Sequence, residues 1–288
     1  EGSVPALESR HYEACFQLYQ KLRHKNPAPF GAYLELNRTD SGKMQAVLST
    51  SPERFLTVDQ DRRCEMRPIK GTVVRPGWGH GERGWIEKAK HDDRAELFLQ
   101  EEDERRKRKL CQDKKECAEN LMIADLIRAD LQSVCFPKSV QVPRLIAIET
   151  YETVHQLVTS VTGQLRPGVK CVETTKRCFP PGSMTGAPKR RSTELLEQLE
   201  YTPGSAPKLT RRRGVYSGAL GFIGVDGASN LSVAIRTATV QGSNVTVGAG
   251  GAVTYLSTPE GEWAEVLHKL GSVAVSYTHL TLPTICSV

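Results

Sequence analysis

Apolar residues recur at a helical interval near the start of the chain, with Tyr12, Phe16, Tyr19 and Leu22 lying within residues 8–25. That spacing predicts an amphipathic helix, and Asn26-Pro27-Ala28-Pro29 ends it. Short apolar runs then predict strands over 32–36, 45–49 and 54–58, with Asp40-Ser41-Gly42 as a turn between the first two. A long charged stretch over roughly 86–133 carries Leu110, Cys117, Leu121 and Ala124 as its apolar positions and reads as helical. Strand patterns return over 141–149 and 154–162. After a Gly/Pro-rich stretch, residues 188–200 read as a helix and 201–213 as a loop. Residues 214–224, 230–241 and 244–249 read as strands, and 260–275 as a closing helix. Strands outnumber helices and do not alternate regularly with them, which points to an α+β fold.

Composition adds limits. The 288 residues are 39% hydrophobic and 25% charged, an ordinary globular balance. Net charge is +6, and part of it sits in the run Arg105 to Lys109, which follows acidic Glu101 to Glu104. Opposite blocks at helical spacing describe a solvated helix face. No aromatic residue interleaves the basic run, so nucleic-acid bases have no stacking platform. None of the eight cysteines forms a CxxC pair or lies at zinc-finger spacing from histidines. They read as reduced thiols of a cytoplasmic protein. No apolar run approaches the length of a membrane span.

Several residue groups can carry chemistry. Glu116/Glu119 and Glu262/Glu265 are Glu-x-x-Glu pairs in predicted helices, so each pair shares one helix face. Carboxylates gathered this way suit a hard divalent cation, and a solvated surface is the plain alternative. Pro180 to Lys189 (PPGSMTGAPK) and Gly248 to Gly251 (GAGG) are glycine-rich stretches whose backbone N–H groups can hold an anion or simply turn the chain. Arg236 lies in the strand-like run SVAIRTATV, where it either points to solvent or meets a carboxylate. His155, in TVHQLV, is either a satisfied core residue or a working group. Lys70 sits in Pro68-Ile69-Lys70-Gly71-Thr72, where a desolvated amine can act as a nucleophile.

These stretches, taken in order, resemble the chorismate-utilising enzymes, the family of anthranilate, aminodeoxychorismate, isochorismate and salicylate synthases. The matching segments are SPERFL (51–56), PIKGT (68–72), ENLMIADLIRADL (119–131), ETYETVHQLVTSVTGQL (149–165), FPPGSMTGAPK (179–189), RRGVYSGALGFI (212–223), AIRT (234–237), GAGGAV (248–253) and STPEGEWAEVLHK (257–269). The resemblance implies a single large α+β domain over residues 10–275, made of two stacked, mostly antiparallel β-sheets flanked by helices. PIKGT is similar to the aminodeoxychorismate synthase branch, since anthranilate synthases carry alanine at the position of Lys70. Ala129 departs from the family's usual Asn, and Ala252 from a common glycine. The last residues, 277–288, resemble a translated adaptor sequence and read as a non-native tail on a fragment.

The resemblance also implies roles. Glu119 and Glu262 are the expected principal Mg²⁺ ligands, helped by Glu116 and Glu265. Arg236 and Tyr216 bind the enolpyruvyl carboxylate of chorismate. Thr185, Gly186 and the amides near Gly250 hold its remaining oxygens. Lys269 adds positive charge, and His155 contacts the reacting face. Glu53 protonates the departing 4-hydroxyl. Lys70 attacks C2 as the neutral amine, after which ammonia adds at C4 and expels it. The expected partner is a glutamine amidotransferase domain or subunit that supplies the ammonia. The two rival readings are anthranilate synthase component I and an inactive fragment.

Overall fold

The computed structural model describes residues 4–36, 45–79, 81–200, 213–242 and 244–274. The turn expected at 40–42, most of the loop at 201–213 and the tail at 277–288 lie outside these residues. In order, the elements are α1 (Val4–Lys25), β1 (Phe30–Leu36), β2 (Gln45–Ser51), β3 (Arg54–Val58), β4 (Arg63–Arg67), β5 (Ile69–Val74), α2 (Arg83–Ala89), α3 (Asp93–Cys111) and α4 (Lys114–Gln132). There follow β6 (Gln141–Thr150), β7 (Val154–Gln164), α5 (Cys171–Cys178), α6 (Gly182–Thr185), α7 (Lys189–Leu199), β8 (Ala219–Ile223), β9 (Ser229–Val233), β10 (Thr237–Gln241), β11 (Asn244–Val247) and α8 (Pro259–Ala274). The fold is mixed helix and strand with two antiparallel sheets, as expected. No helix among the described residues is long and apolar enough to cross a membrane.

The chain divides into two compact units, one of residues 1–57, 179–225 and 229–288 and the other of residues 58–178 with 226–228. In the first unit the order β1-β2-β10-β11 forms a four-stranded sheet. Strand β2 is central and buried, so its run AVLSTS has no polar face. Its hydroxyls are satisfied internally: Ser49 Oγ lies 2.8 Å from Thr237 Oγ1, and Ser51 Oγ donates to the Val233 carbonyl at 2.6 Å. Helix α1 covers this sheet with Cys15, Tyr19 and Leu22, packed in one core cluster with Ala46, Leu48, Ala238 and Val240.

Two strand expectations change here. The run 230–241 is not continuous: β9 ends at Val233 and β10 starts at Thr237. Between them the chain leaves the partner of β9, which is β8, for the partner of β10, which is β2. Arg236 makes the turn with φ of +51°. The run 214–224 becomes a strand only at Ala219, because a tight turn in which Gly218 N–H donates to Val215 O occupies its start.

In the second unit β7 is the spine. Strands β4 and β5 run along one edge of it, from Arg63↔Gln164 through Ile69↔Val158, and β6 pairs its other edge. Strands β4 and β5 escape the sequence reading because they are short and carry charges at Arg63, Glu65, Arg67 and Lys70. The helical stretch read over 86–133 is three helices. Asp92 caps the start of α3 by accepting from Arg94 N at 3.0 Å. Asp113 does the same for α4, accepting from Lys115 N at 3.0 Å and Glu116 N at 3.1 Å. A short acceptor satisfies N–H groups that lack an intrahelical partner, so each Asp starts a new helix. Helix α4 buries Ile123, Ala124, Ile127 and Leu131. Leu121, expected on the apolar face, is 51% exposed.

The charged helix α3 is not simply solvated. Arg105 pairs with Glu102 on the surface, but Arg106 is largely covered, reaching Glu82 at 2.6 Å, Glu102 at 2.7 Å and the Val74 carbonyl at 2.9 Å. The hydrogen bonds from Arg105 and Arg106 hold Glu102 down to about 2. These contacts tie α3 to the end of β5. Asp113→Ala removes the cap of α4 and is expected to lower unfolding free energy by about 1 kcal/mol. A urea titration checks this through a lower midpoint at unchanged slope.

Candidate active site

Each unit gathers its own set of the expected residues. In the second, Lys70 lies in a bulge of β5, where the register against β7 shifts between Ile69 and Thr72. One extra residue in a strand re-aims its side chains. Gly71 follows at φ +80°, and a methyl group there meets Leu110, Glu116 and Leu157 at 3.0–3.2 Å. Both backbone conformation and space therefore call for glycine. The Lys70 ammonium, 17% exposed, lies 3.6 Å from Glu119 Oε2.

Glu119 and Glu116 come from the first turns of α4, which Asp113 starts. Glu119 is buried, and its Oε1 accepts no hydrogen bond; Lys115 Nζ stands 3.8 Å away. Next to it, Asn120 is fully buried. Its Nδ2 donates to the Leu157 carbonyl at 3.1 Å, and its Oδ1 accepts from the Thr159 hydroxyl.

His155 has 0% exposure. Its Nε2 lies 2.8 Å from Asp103 Oδ1 and its Nδ1 lies 3.0 Å from Thr150 Oγ1. A carboxylate only accepts, so Nε2 carries the shared proton. Both ring nitrogens are engaged and no ring surface is left for a ligand, so the structure places His155 as a satisfied core residue. Asp103 also receives Arg75 Nε at 3.1 Å and Lys107 Nζ at 3.4 Å. Burial raises its pKa, but the hydrogen bonds from Arg75 and His155 outweigh that and hold it below the usual value. Nothing in the acidic run marked Asp103 beforehand, because its partners lie up to 52 residues away.

In the first unit, Glu53 is buried between β2 and β3. Its backbone N–H reaches Ser51 Oγ at 3.3 Å, and its carbonyl accepts from Val233 N at 3.0 Å. Arg236 is inward-facing, and burial pulls its pKa below the usual guanidinium range. Its Nη1 donates to Ser272 Oγ at 2.8 Å, and no carboxylate is paired with it among the described residues. Burial likewise raises the Tyr216 phenol. A methyl group at Gly248 runs into the Tyr216 ring, and one at Gly251 lies 2.6 Å from Glu262 Oε2. The glycines of GAGG thus make room for two side chains as much as for a turn.

Glu262 is buried and accepts from Ser257 Oγ at 2.6 Å. Glu265 is more exposed and pairs with Lys269 Nζ at 2.6 Å, while Lys269 also donates to the Gly250 carbonyl at 2.9 Å. Thr185 closes α6, with its hydroxyl 3.3 Å from the Gly186 carbonyl, and Gly186 turns the chain at φ +84°. Sequence reasoning missed Ser257 and Ser272, although both fall in or beside the quoted STPEGEWAEVLHK.

Among the described residues no group of three or more His, Cys, Asp or Glu side chains is gathered to hold a metal ion. Glu119 in the second unit and Glu262 in the first are each a buried carboxylate, the donor type a magnesium ion takes. Such an ion takes one or two protein carboxylates and completes its shell with water and substrate oxygens.

Residues 6–275 match the family described as chorismate binding enzyme. The chain is 39% identical over 252 residues to "Aminodeoxychorismate synthase, chloroplastic" of Arabidopsis thaliana, covering 88% of this chain and 24% of that protein. It is 33% identical over 270 residues to "Aminodeoxychorismate synthase component 1" of Salmonella typhimurium, covering 92% of this chain and 51% of that protein. The chain thus spans between about a quarter and a half of the length of these relatives. Among solved structures, anthranilate synthase component I from Streptococcus pneumoniae is similar with a TM-score of 0.63 at 26% identity. That match covers 90% of this chain and 49% of that one.

Asp103 supplies a pH test. Its lowered folded-state pKa means that it contributes stability above the ordinary value of 3.8, lost as pH falls through the folded value. Asp103→Asn is expected to cost about 1–3 kcal/mol at pH 7. The gap to the parent should narrow by pH 3. Urea unfolding at both pH values reads this, and an equal deficit at both contradicts the assignment.

Proposed function

The chain belongs to the chorismate-binding enzyme family, and on that premise we propose that it aminates chorismate at C4 to give 4-amino-4-deoxychorismate, the precursor of 4-aminobenzoate in folate synthesis. The observation that carries this reading is Lys70, held in the β5 bulge 3.6 Å from Glu119. A lysine placed there has a use in the amination and none in the anthranilate reaction. Two relatives named aminodeoxychorismate synthase support it.

The residues then take these roles. Arg236, paired with no carboxylate among the described residues, binds the enolpyruvyl carboxylate together with Tyr216. Thr185, Gly186 and Gly250 meet the remaining oxygens, and Lys269 adds positive charge. Glu53 gives its proton to the departing 4-hydroxyl, which leaves as water rather than as hydroxide. Lys70, as the neutral amine once its ammonium proton has gone to solvent, bonds through the Nζ lone pair to C2 as the C4–O bond breaks, with the ring double bond shifting between them. Ammonia then bonds to C4, the double bond returns and the C2–N bond to Lys70 breaks. The covalent step divides one hard substitution into two easier ones. His155, enclosed with Asp103, positions β7 and touches no substrate. By the resemblance, Glu119 and Glu262 would hold magnesium with help from Glu116 and Glu265, and the ion would supply Lewis-acid charge to the ring carboxylate of chorismate.

Ammonia comes from a glutamine amidotransferase domain or subunit, in keeping with the name "component 1" carried by the Salmonella relative. No disulfide joins the seven described cysteines, which suits a reducing compartment such as the cytoplasm; the plant relative is named chloroplastic.

The test is the chain with chorismate, Mg²⁺ and excess ammonium, with product followed by chromatography. Aminodeoxychorismate is expected. Fluorescent anthranilate, or no product at all, overturns the proposal. Lys70→Ala should abolish any lysine–substrate adduct seen by mass spectrometry. Glu53→Gln should lower kcat by roughly 10²- to 10⁴-fold.

A further inference from the structure

Thr159 sits mid-way along β7 with no exposed surface, and three elements meet on it. Its N–H donates to the Pro68 carbonyl at 3.2 Å, at the head of the β5 segment that carries Lys70. Its hydroxyl accepts from the Ile146 N–H of β6 at 2.9 Å and donates to Asn120 Oδ1 of α4. Asn120 adds a second tie to β7 through the Leu157 carbonyl.

The strands on either side of β7 both shift register here, and β6 shifts once more between Gln141 and Arg144. Strand β5 bulges between Ile69 and Thr72, and β6 between Arg144 and Ala147, both next to Val158. Ile146 takes φ +50°, which a β-branched side chain adopts only under constraint. The hydrogen bond to Thr159 Oγ1 supplies part of that constraint. Apolar side chains would fill this core as well as Asn120 and Thr159 do. A buried pair in which each polar side-chain atom has a partner instead selects one arrangement of the elements around it.

We propose that the Asn120–Thr159 pair is a positioning device that sets the separation of Lys70 from Glu119, and so holds the amine ready for attack. This rests on the amination reading for its consequence, but the positioning itself is a separate claim. Glu119 is the chain neighbour of Asn120, and Lys70 lies two residues beyond Pro68. The pair therefore locks both partners of the ion pair to one point of β7.

The experiment compares Thr159→Val, which removes the hydroxyl at constant shape, with Thr159→Ser, which keeps it. An amine-acylating reagent labels the full chain, and peptide mass spectrometry reads Lys70 against exposed Lys90 in the same molecule. The valine variant is expected to raise the Lys70/Lys90 labelling ratio about three- to tenfold, the factor for one lost buried hydrogen bond. It should also lower amination kcat about tenfold or more with KM little changed. Serine should restore both. If the valine variant does not fold by circular dichroism, Asn120→Ser reads the same ratio. A folded variant lacking either partner, with a labelling ratio equal to the parent's, overturns the proposal. Should the parent make no aminodeoxychorismate, the labelling ratio still decides the positioning claim by itself.

Discussion

A lysine ammonium and a glutamate carboxylate taken largely out of water lose hydration that their attraction repays only in good geometry. The Lys70–Glu119 pair is such an arrangement, and much of the second unit can be read as the scaffold that fixes it. Lys70 depends on a bulge, the bulge depends on Gly71, and Glu119 depends on a helix started by Asp113 and tied to β7 by Asn120. Glu119 keeps one oxygen without a hydrogen bond. A buried acceptor left in that state is costly to the fold and useful to a site that binds a cation.

The first unit follows a complementary logic. Arg236 and Tyr216 are covered groups whose titration is shifted by desolvation, and glycines leave the space that Tyr216 and Glu262 occupy. Arg236 can face inward because the chain turns there, between strands that pair with different neighbours. A residue in the middle of a regular strand lacks that freedom of direction. A largely buried guanidinium that meets no carboxylate among the described residues is suited to an anionic ligand.

The charged helices α2 and α3 show how composition can mislead. A run of five basic residues beside acidic ones looks like a solvated face, and Arg105 behaves so. Arg106 with Glu82 and the Val74 carbonyl, and separately Asp103 with Arg75 and His155, instead fasten these helices to β5 and β7. His155 belongs to the second group, which explains why a histidine lies in a strand among apolar neighbours.

The α1 helix, most of the strands and the family were legible in the sequence, because periodicity and short motifs are local properties. The helix over 86–133 failed at Asp92 and Asp113, where capping oxygens override a continuous charge pattern. The short charged strands β4 and β5 were invisible, since only pairing with β7 makes them strands. The bulge at Lys70, the left-handed turn at Arg236 and the enclosure of His155 were decided by the tertiary structure alone. Each rests on hydrogen bonds between residues far apart in the chain, such as Thr159 to Pro68, Thr50 to Arg236 and His155 to Asp103. No local pattern encodes such partners; they exist only once the strands have chosen their neighbours.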